Sequence, residues 1–129
     1  MMNHKGGLMP LIKLQTSVKI TDKPAIALEL SKAGSLCTGK PENYFQVIVE
    51  DDAVISMAGK ITESAFIDMR SIGETEINTN NKLSSEFCRI LKEKLNIDPV
   101  KVYMNFTGFS TENWGVASKT YAEILKGNK

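Results

Sequence analysis

Met9-Pro10-Leu11-Ile12-Lys13-Leu14-Gln15-Thr16-Ser17-Val18 sets a proline at the head of an alternating segment. Ile12, Leu14, Thr16 and Val18 fall on one side and Leu11, Lys13 and Gln15 on the other, the period of a half-buried strand. Proline suits a strand's first position because it has no N–H to give to the ladder. The spacing therefore predicts a strand over 10–18 that opens on Pro10. The same residue has a chemical meaning. Translation from Met9 would let the initiator be trimmed, because a small residue follows, and Pro10 would then carry a free secondary amine. A free α-amino group titrates near about 8 and burial lowers it, which suits a general base at neutral pH. With nine residues still ahead of it, that nitrogen is a tertiary amide with no useful basicity.

Working outward, Thr21-Asp22 supplies N-cap chemistry and Pro24 fits a first helical turn. Ile26, Leu30, Ala33 and Cys37 line one face of the predicted helix, and Gly39 ends it. Lys40-Pro41-Glu42-Asn43 reads as a turn, and 44–50 as a second strand rich in aromatic and β-branched residues. A connection through Ser56-Met57-Ala58-Gly59 leads to a third strand over roughly 64–72, ended by Gly73. Asn78 to Asn81 is polar and cap-like. Leu83, Phe87, Ile90, Leu91 and Leu95 then mark a second amphipathic helix, which Asp98-Pro99 breaks. A fourth strand over 100–107 turns Val100, Val102, Met104 and Phe106 one way and Lys101, Tyr103, Asn105 and Thr107 the other. Strand–helix–strand thus occurs twice, with Gly39-Lys40-Pro41 and Asn96-Ile97-Asp98-Pro99 as matching turns. Each helix has one apolar face, so the pattern predicts an α+β domain: two β-α-β repeats forming a four-stranded mixed sheet with both helices on one face. The sheet's other face, with its Ile and Leu residues, then calls for cover by oligomerisation.

Composition narrows the function. In 129 residues, 42% are hydrophobic and 24% charged, as in a single globular domain, and the net charge of +1 with scattered basic residues gives no reason for a nucleic-acid or anionic-membrane partner. No apolar run approaches the ~18 residues of a membrane span. Met1 to Leu8 lacks the apolar centre of a signal peptide, so residues 1–9 are read as an N-terminal extension: an upstream start, an expression scar or a free arm, with a regulatory pro-segment as the sharper alternative. Cys37 and Cys88 are far apart and form no CxxC, which fits buried free thiols in a reducing compartment rather than a metal or redox site.

Met9-Pro10 opening a strand, Thr38-Gly39-Lys40-Pro41, Ser71-Ile72-Gly73, Val102-Tyr103-Met104-Asn105-Phe106 and Asn113-Trp114-Gly115 occur in an order and spacing that resemble the macrophage migration inhibitory factor family and its tautomerase relatives. The resemblance covers 10–122 and leaves 123–129 as a C-terminal tail that could cap or crowd a pocket. It implies a homotrimer whose three sheets enclose a channel, with three sites at subunit boundaries and no cofactor or metal. The implied reaction is keto–enol tautomerisation of phenylpyruvate-like 2-oxo acids. By the same resemblance Pro10 is the catalytic base and Lys40 anchors the anionic substrate. Ile72 offers its main-chain N–H. Tyr103 and Asn105 reach the neighbouring subunit's pocket as an aromatic wall and a hydrogen-bond donor. Phe106, Trp114 and Val116 would provide apolar walls. Three departures stand out. Ser64-Ala65-Phe66-Ile67 replaces the family's thiol motif, Thr107 takes the place of a second pocket aromatic, and Trp114 and Val116 exchange residue sizes found in some members. The resemblance also allows a second class of function, a cytokine-like signalling protein with a vestigial pocket and a protein receptor as partner. It is compatible with a cytoplasmic protein, or one secreted without a signal peptide. A third alternative, a ferredoxin-like small-molecule or RNA-binding module, lacks the aromatic-basic strand that RNA recognition uses.

Overall fold

The alternating segment forms strand β1 (Leu8–Thr16) in the computed structural model, which describes residues 8–127. Most of the expected extension (1–7) and the end of the expected tail (128–129) lie outside the described residues. β1 begins two residues before Pro10, not at it. Leu8 pairs with Ile72, and the register shifts before Leu11 pairs with Arg70. Met9 sits in that bulge at φ 51°, and Pro10, with no N–H, gives up no ladder bond there. The strand also ends early. The Thr16 hydroxyl accepts Val18 N–H at 3.1 Å and donates to Ser64 O at 2.8 Å, which turns the chain out of the sheet.

Helix α1 (Lys23–Thr38) starts where the cap chemistry puts it: Asp22 Oδ1 accepts Ala25 N–H at 3.1 Å, with proline in the first turn. Gly39 closes it at φ 72°, its N–H bonded to Ser35 O at 2.9 Å. A 3₁₀ turn (Glu42–Tyr44) leads into β2 (Gln46–Glu50), and a tight hairpin of β3 (Ser56–Met57) and β4 (Lys60–Ile61) precedes β5 (Ala65–Ile72). Helix α2 (Ile77–Leu95) absorbs the polar 78–81 segment into its first turn. Its N-cap residue, Glu76, makes no side-chain capping bond, so packing of Leu83 and Phe87 sets its course rather than local propensity. Asn96 ends it in the left-handed region at φ 55°. A second 3₁₀ turn (Pro99–Lys101) takes the start of the expected fourth strand, so β6 runs Val102–Phe109. Beyond it come a third 3₁₀ turn (Thr111–Asn113), a hairpin of β7 (Gly115–Val116) and β8 (Lys119–Thr120), and a short helix, α3 (Tyr121–Gly127).

The main sheet has the order β2-β1-β5-β6, with β1 parallel to β2, β5 parallel to β6 and an antiparallel seam between β1 and β5. The expected two β-α-β repeats on one mixed sheet are present. Ile12, Leu14, Ile67 and Met69 from the sheet pack with Leu30, Ala33, Leu83, Phe87, Ile90 and Leu91 from α1 and α2 into one core, so both helices cover the same face. Each such large side chain contributes about 1.5–3 kcal/mol on burial.

The opposite face is more polar than its aliphatic residues alone suggested. Register places Gln46, Leu11, Arg70 and Thr107 in one row, Ile48, Lys13, Asp68 and Asn105 in the next, and Glu50, Gln15, Phe66 and Tyr103 in the third. Lys13 pairs with Glu50 at 3.5 Å, Arg70 with Asp68 at 2.9 Å, and Asn105 Nδ2 donates to Asp68 Oδ1 at 2.6 Å. Burial raises the Asp68 carboxyl, but hydrogen bonds from Arg70 and Asn105 and the nearby cations outweigh it and hold the group below its ordinary value. Ile48, Phe66 and Tyr103 remain exposed beside this network.

Candidate active site

Parallel and antiparallel pairing bring several chain boundaries to one end of the sheet. The start of β1, the turn before β2 and the ends of β5 and β6 meet there. Pro10 is fully buried in that end, and Ile72, in register with Leu8 on one side and Phe109 on the other, is also fully buried, so its side chain does not face a ligand. Lys40 stands six residues before Gln46, the partner of Leu11. Its backbone is fixed by the cap of α1: its N–H donates to Thr38 Oγ1 at 3.2 Å, and Ser35 Oγ donates to its carbonyl at 2.5 Å. Among the described residues the Lys40 ammonium has no carboxylate partner. The turn thus presents one unpaired cation at the Pro10 end.

Phe109 lies opposite Ile72 in the β5–β6 register, and its ring meets Trp114 at 5.5 Å between centroids with the planes tilted by 51°. Ile72, Gly73, Phe109, Ser110, Thr111 and Glu112 line a recess of about 270 Å³ at this same end. Pro10, Lys40, Ile72 and Trp114 therefore share one end of the molecule. Tyr103 and Asn105 do not join them within the chain. Tyr103 is in register with Gln15, five residues along from Pro10 and two strands across, which is roughly 16 Å along the strand direction alone. Asn105 is in register with Lys13 and is already bonded to Asp68. Phe106 faces the other way. It pairs with Met69 on the helix side and lines a small cavity with Thr38, Ser71, Thr79 and Leu83. Val116 is exposed in the β7–β8 hairpin.

Phe109 and the 110–112 turn were not among the residues that the sequence singled out. Gly108 hides them, because a glycine after an alternating run reads as the end of a strand. Here it is the condition for the strand to continue: a Cβ at Gly108 would lie 1.9 Å from Gly73 O. That closeness lets Gly73 N–H reach Phe109 O at 2.8 Å and brings the two strand ends together.

The two thiols lie elsewhere. Cys37 and Cys88 are half-buried on the helices, and burial raises both above the ordinary thiol value, which favours the protonated thiol over the thiolate.

A repeated β-α-β unit on a mixed sheet, with a buried proline and a lysine-bearing turn toward the end where two strands finish, defines the class: a small α+β domain of the tautomerase type. The comparisons carry this to a family. A sequence model described as "Macrophage migration inhibitory factor (MIF)" matches residues 9–122. The factor from Rattus norvegicus is 30% identical over 115 residues, 88% of this chain and all of that protein, and the homolog from Trichinella spiralis is equally similar over the same span. Among solved structures, the MIF-like protein of Entamoeba histolytica superposes with a TM-score of 0.81 at 36% identity, covering 87% of this chain and 98% of that one. The chain belongs to the macrophage migration inhibitory factor family, within the tautomerase superfamily.

Proposed function

We propose that this protein is a cofactor-independent keto–enol tautomerase acting on phenylpyruvate-like 2-oxo acids, with Pro10 as the base in a chain that begins there. The observation that carries the reading is the burial of Pro10 at the sheet end that also holds the unpaired Lys40 turn and the Ile72 main chain. Tautomerisation moves a proton between the carbon beside a carbonyl and the enol oxygen, so it needs a base of matched pKa and a donor toward the oxygen. A free Pro10 amine supplies the base, and its ring fixes the lone pair's direction. Burial and the Lys40 charge both disfavour the protonated amine and lower its pKa from the usual value of about 8. Lys40 binds the substrate carboxylate, and the Ile72 N–H or a donor from a second copy meets the carbonyl oxygen. The working unit is a homotrimer, which covers the open sheet face and brings Tyr103 and Asn105 of one copy toward the site of the next.

The test compares a chain beginning at Pro10 with one that retains Met9, both assayed for enol–keto conversion of phenylpyruvate across pH. The chain beginning at Pro10 should be active, with kcat/KM rising as pH passes the amine's pKa, because the base is the unprotonated form. Retaining Met9 should cost about 10²–10⁴-fold, the usual worth of a positioned general base. A folded chain beginning at Pro10 that converts neither phenylpyruvate nor its relatives would end the enzymatic reading in favour of a binding role.

A further inference from the structure

We infer that α3 is a strap that holds the aromatic wall of the candidate site and sets its preference for aryl over alkyl 2-oxo acids; this inference rests on the tautomerase reading above. The family match ends at residue 122, so most of α3 is an addition to the shared domain. Its placement is specific. The β7–β8 hairpin, turned at Ala117-Ser118 with φ 55° and 70°, brings the chain back on itself, and Tyr121 N–H donates to Trp114 O at 2.8 Å. Thr120 Oγ1 then accepts Glu123 N–H at 3.2 Å and starts the helix. α3 lies against β8 and against the 3₁₀ turn Thr111–Asn113, the turn that contributes Thr111 and Glu112 to the recess beside Ile72. Tyr121 is buried and Ile124 and Leu125 are half-buried, whereas Glu123 and Lys126 face water. One side of this short helix is thus spent on the turn that leads from Phe109 to Trp114.

The consequence is selective. Phe109 lines the recess and its ring packs on Trp114, so this pair offers an apolar surface to a substrate ring at this end. An alkyl 2-oxo acid has the same carboxylate and carbonyl but no ring to place there. Loosening the turn should therefore weaken aryl binding and leave proton transfer at Pro10 untouched.

The experiment uses the chain beginning at Pro10, full-length and ending at Ala122, with a full-length Ile124→Ser/Leu125→Ser variant to serve if the shortened chain does not fold. KM and kcat are measured for phenylpyruvate and for pyruvate, and Kd for phenylpyruvate by calorimetry. Trp114, the single tryptophan, reports its own surroundings by its emission. The expected result is an aryl KM and Kd raised about fivefold or more, within the range of one lost apolar contact. The kcat values and the pyruvate KM should hold, and Trp114 emission should shift to the red. A folded variant with an unchanged aryl-to-alkyl ratio and unchanged emission overturns the strap and leaves the tautomerase reading standing. If the full-length chain converts neither acid, the tautomerase reading falls, and an unchanged phenylpyruvate Kd on truncation then overturns the strap as well.

Discussion

A peptide bond to Met9 delocalises the Pro10 lone pair into a carbonyl, so the same buried ring is either a strand residue or a base, never both. The structure contains the bonded form, and Met9 bears its cost in the left-handed region, about 1–2 kcal/mol for a residue with a Cβ. Removing Met9 would therefore discard a strained residue together with the Leu8–Ile72 pairing. Lys40 has the simpler problem of being a cation that, among the described residues, pairs with no carboxylate. If it binds the substrate carboxylate, its contribution is uniform binding and not transition-state stabilisation. Lys40→Ala should then raise KM for a 2-oxo acid about tenfold, near 1.4 kcal/mol, with kcat little changed at a pH well above the amine's pKa, where the lost effect of the Lys40 charge on that pKa does not show. The wild-type KM should also rise with ionic strength and the variant's should not, because salt screens a charge that only the wild type has. A fall in kcat at constant KM would assign Lys40 a different part.

At the scale of elements, the boundaries that chemistry marks were legible in advance. Asp22, Pro24 and Gly39 fix both ends of α1, and Gly39 and Asn96 both turn left-handed before a proline-led 3₁₀ turn, so the internal repeat can be read from the turns alone. Pro10, Lys40 and Ile72 lie toward the same end of the sheet because each sits near the end of an element. The hairpins were not legible. Ala58-Gly59 and Ala117-Ser118 take the positive φ values of tight hairpin turns without the Asn-Gly signature that would have announced them. Phe106 shows a different limit. Strand alternation must separate it from Asn105, and the face it takes is decided by Met69 across the sheet. Gly108 is the element-scale residue most open to test. Gly108→Ala must displace the Gly73 carbonyl, backbone rather than a flexible side chain, and should cost about 3 kcal/mol. A lowered denaturation midpoint at unchanged slope would show it; a midpoint within error of wild type would mean that β5 and β6 do not close as described.

On the scale of the whole molecule, the open sheet face and the split site pose one question. The face bears the Lys13–Glu50 and Asp68–Arg70 pairs beside exposed Ile48, Phe66 and Tyr103, a mixed polar and apolar surface that a second copy could bury. Tyr103, on that face, is too far along the strand to serve its own Pro10. Either Tyr103 has no part in the site or it serves the Pro10 of another copy. Mixing variants separates these cases. Pro10→Gly removes the base, and Tyr103→Ala removes the aromatic wall from an exposed ring whose loss leaves the core intact. Each pure protein should have low kcat/KM. If the two are unfolded together and refolded, a site built from Pro10 of the Tyr103→Ala chain and Tyr103 of the Pro10→Gly chain is complete. In a randomly assembled cyclic trimer about one site in four is of this kind, so the mixture should recover about a quarter of wild-type activity. Recovery should fall when the proteins are mixed without unfolding, because mixed sites then form only as fast as copies exchange between assemblies. A refolded mixture no more active than the average of its parts would place Tyr103 outside the site and return the open face to a purely structural role.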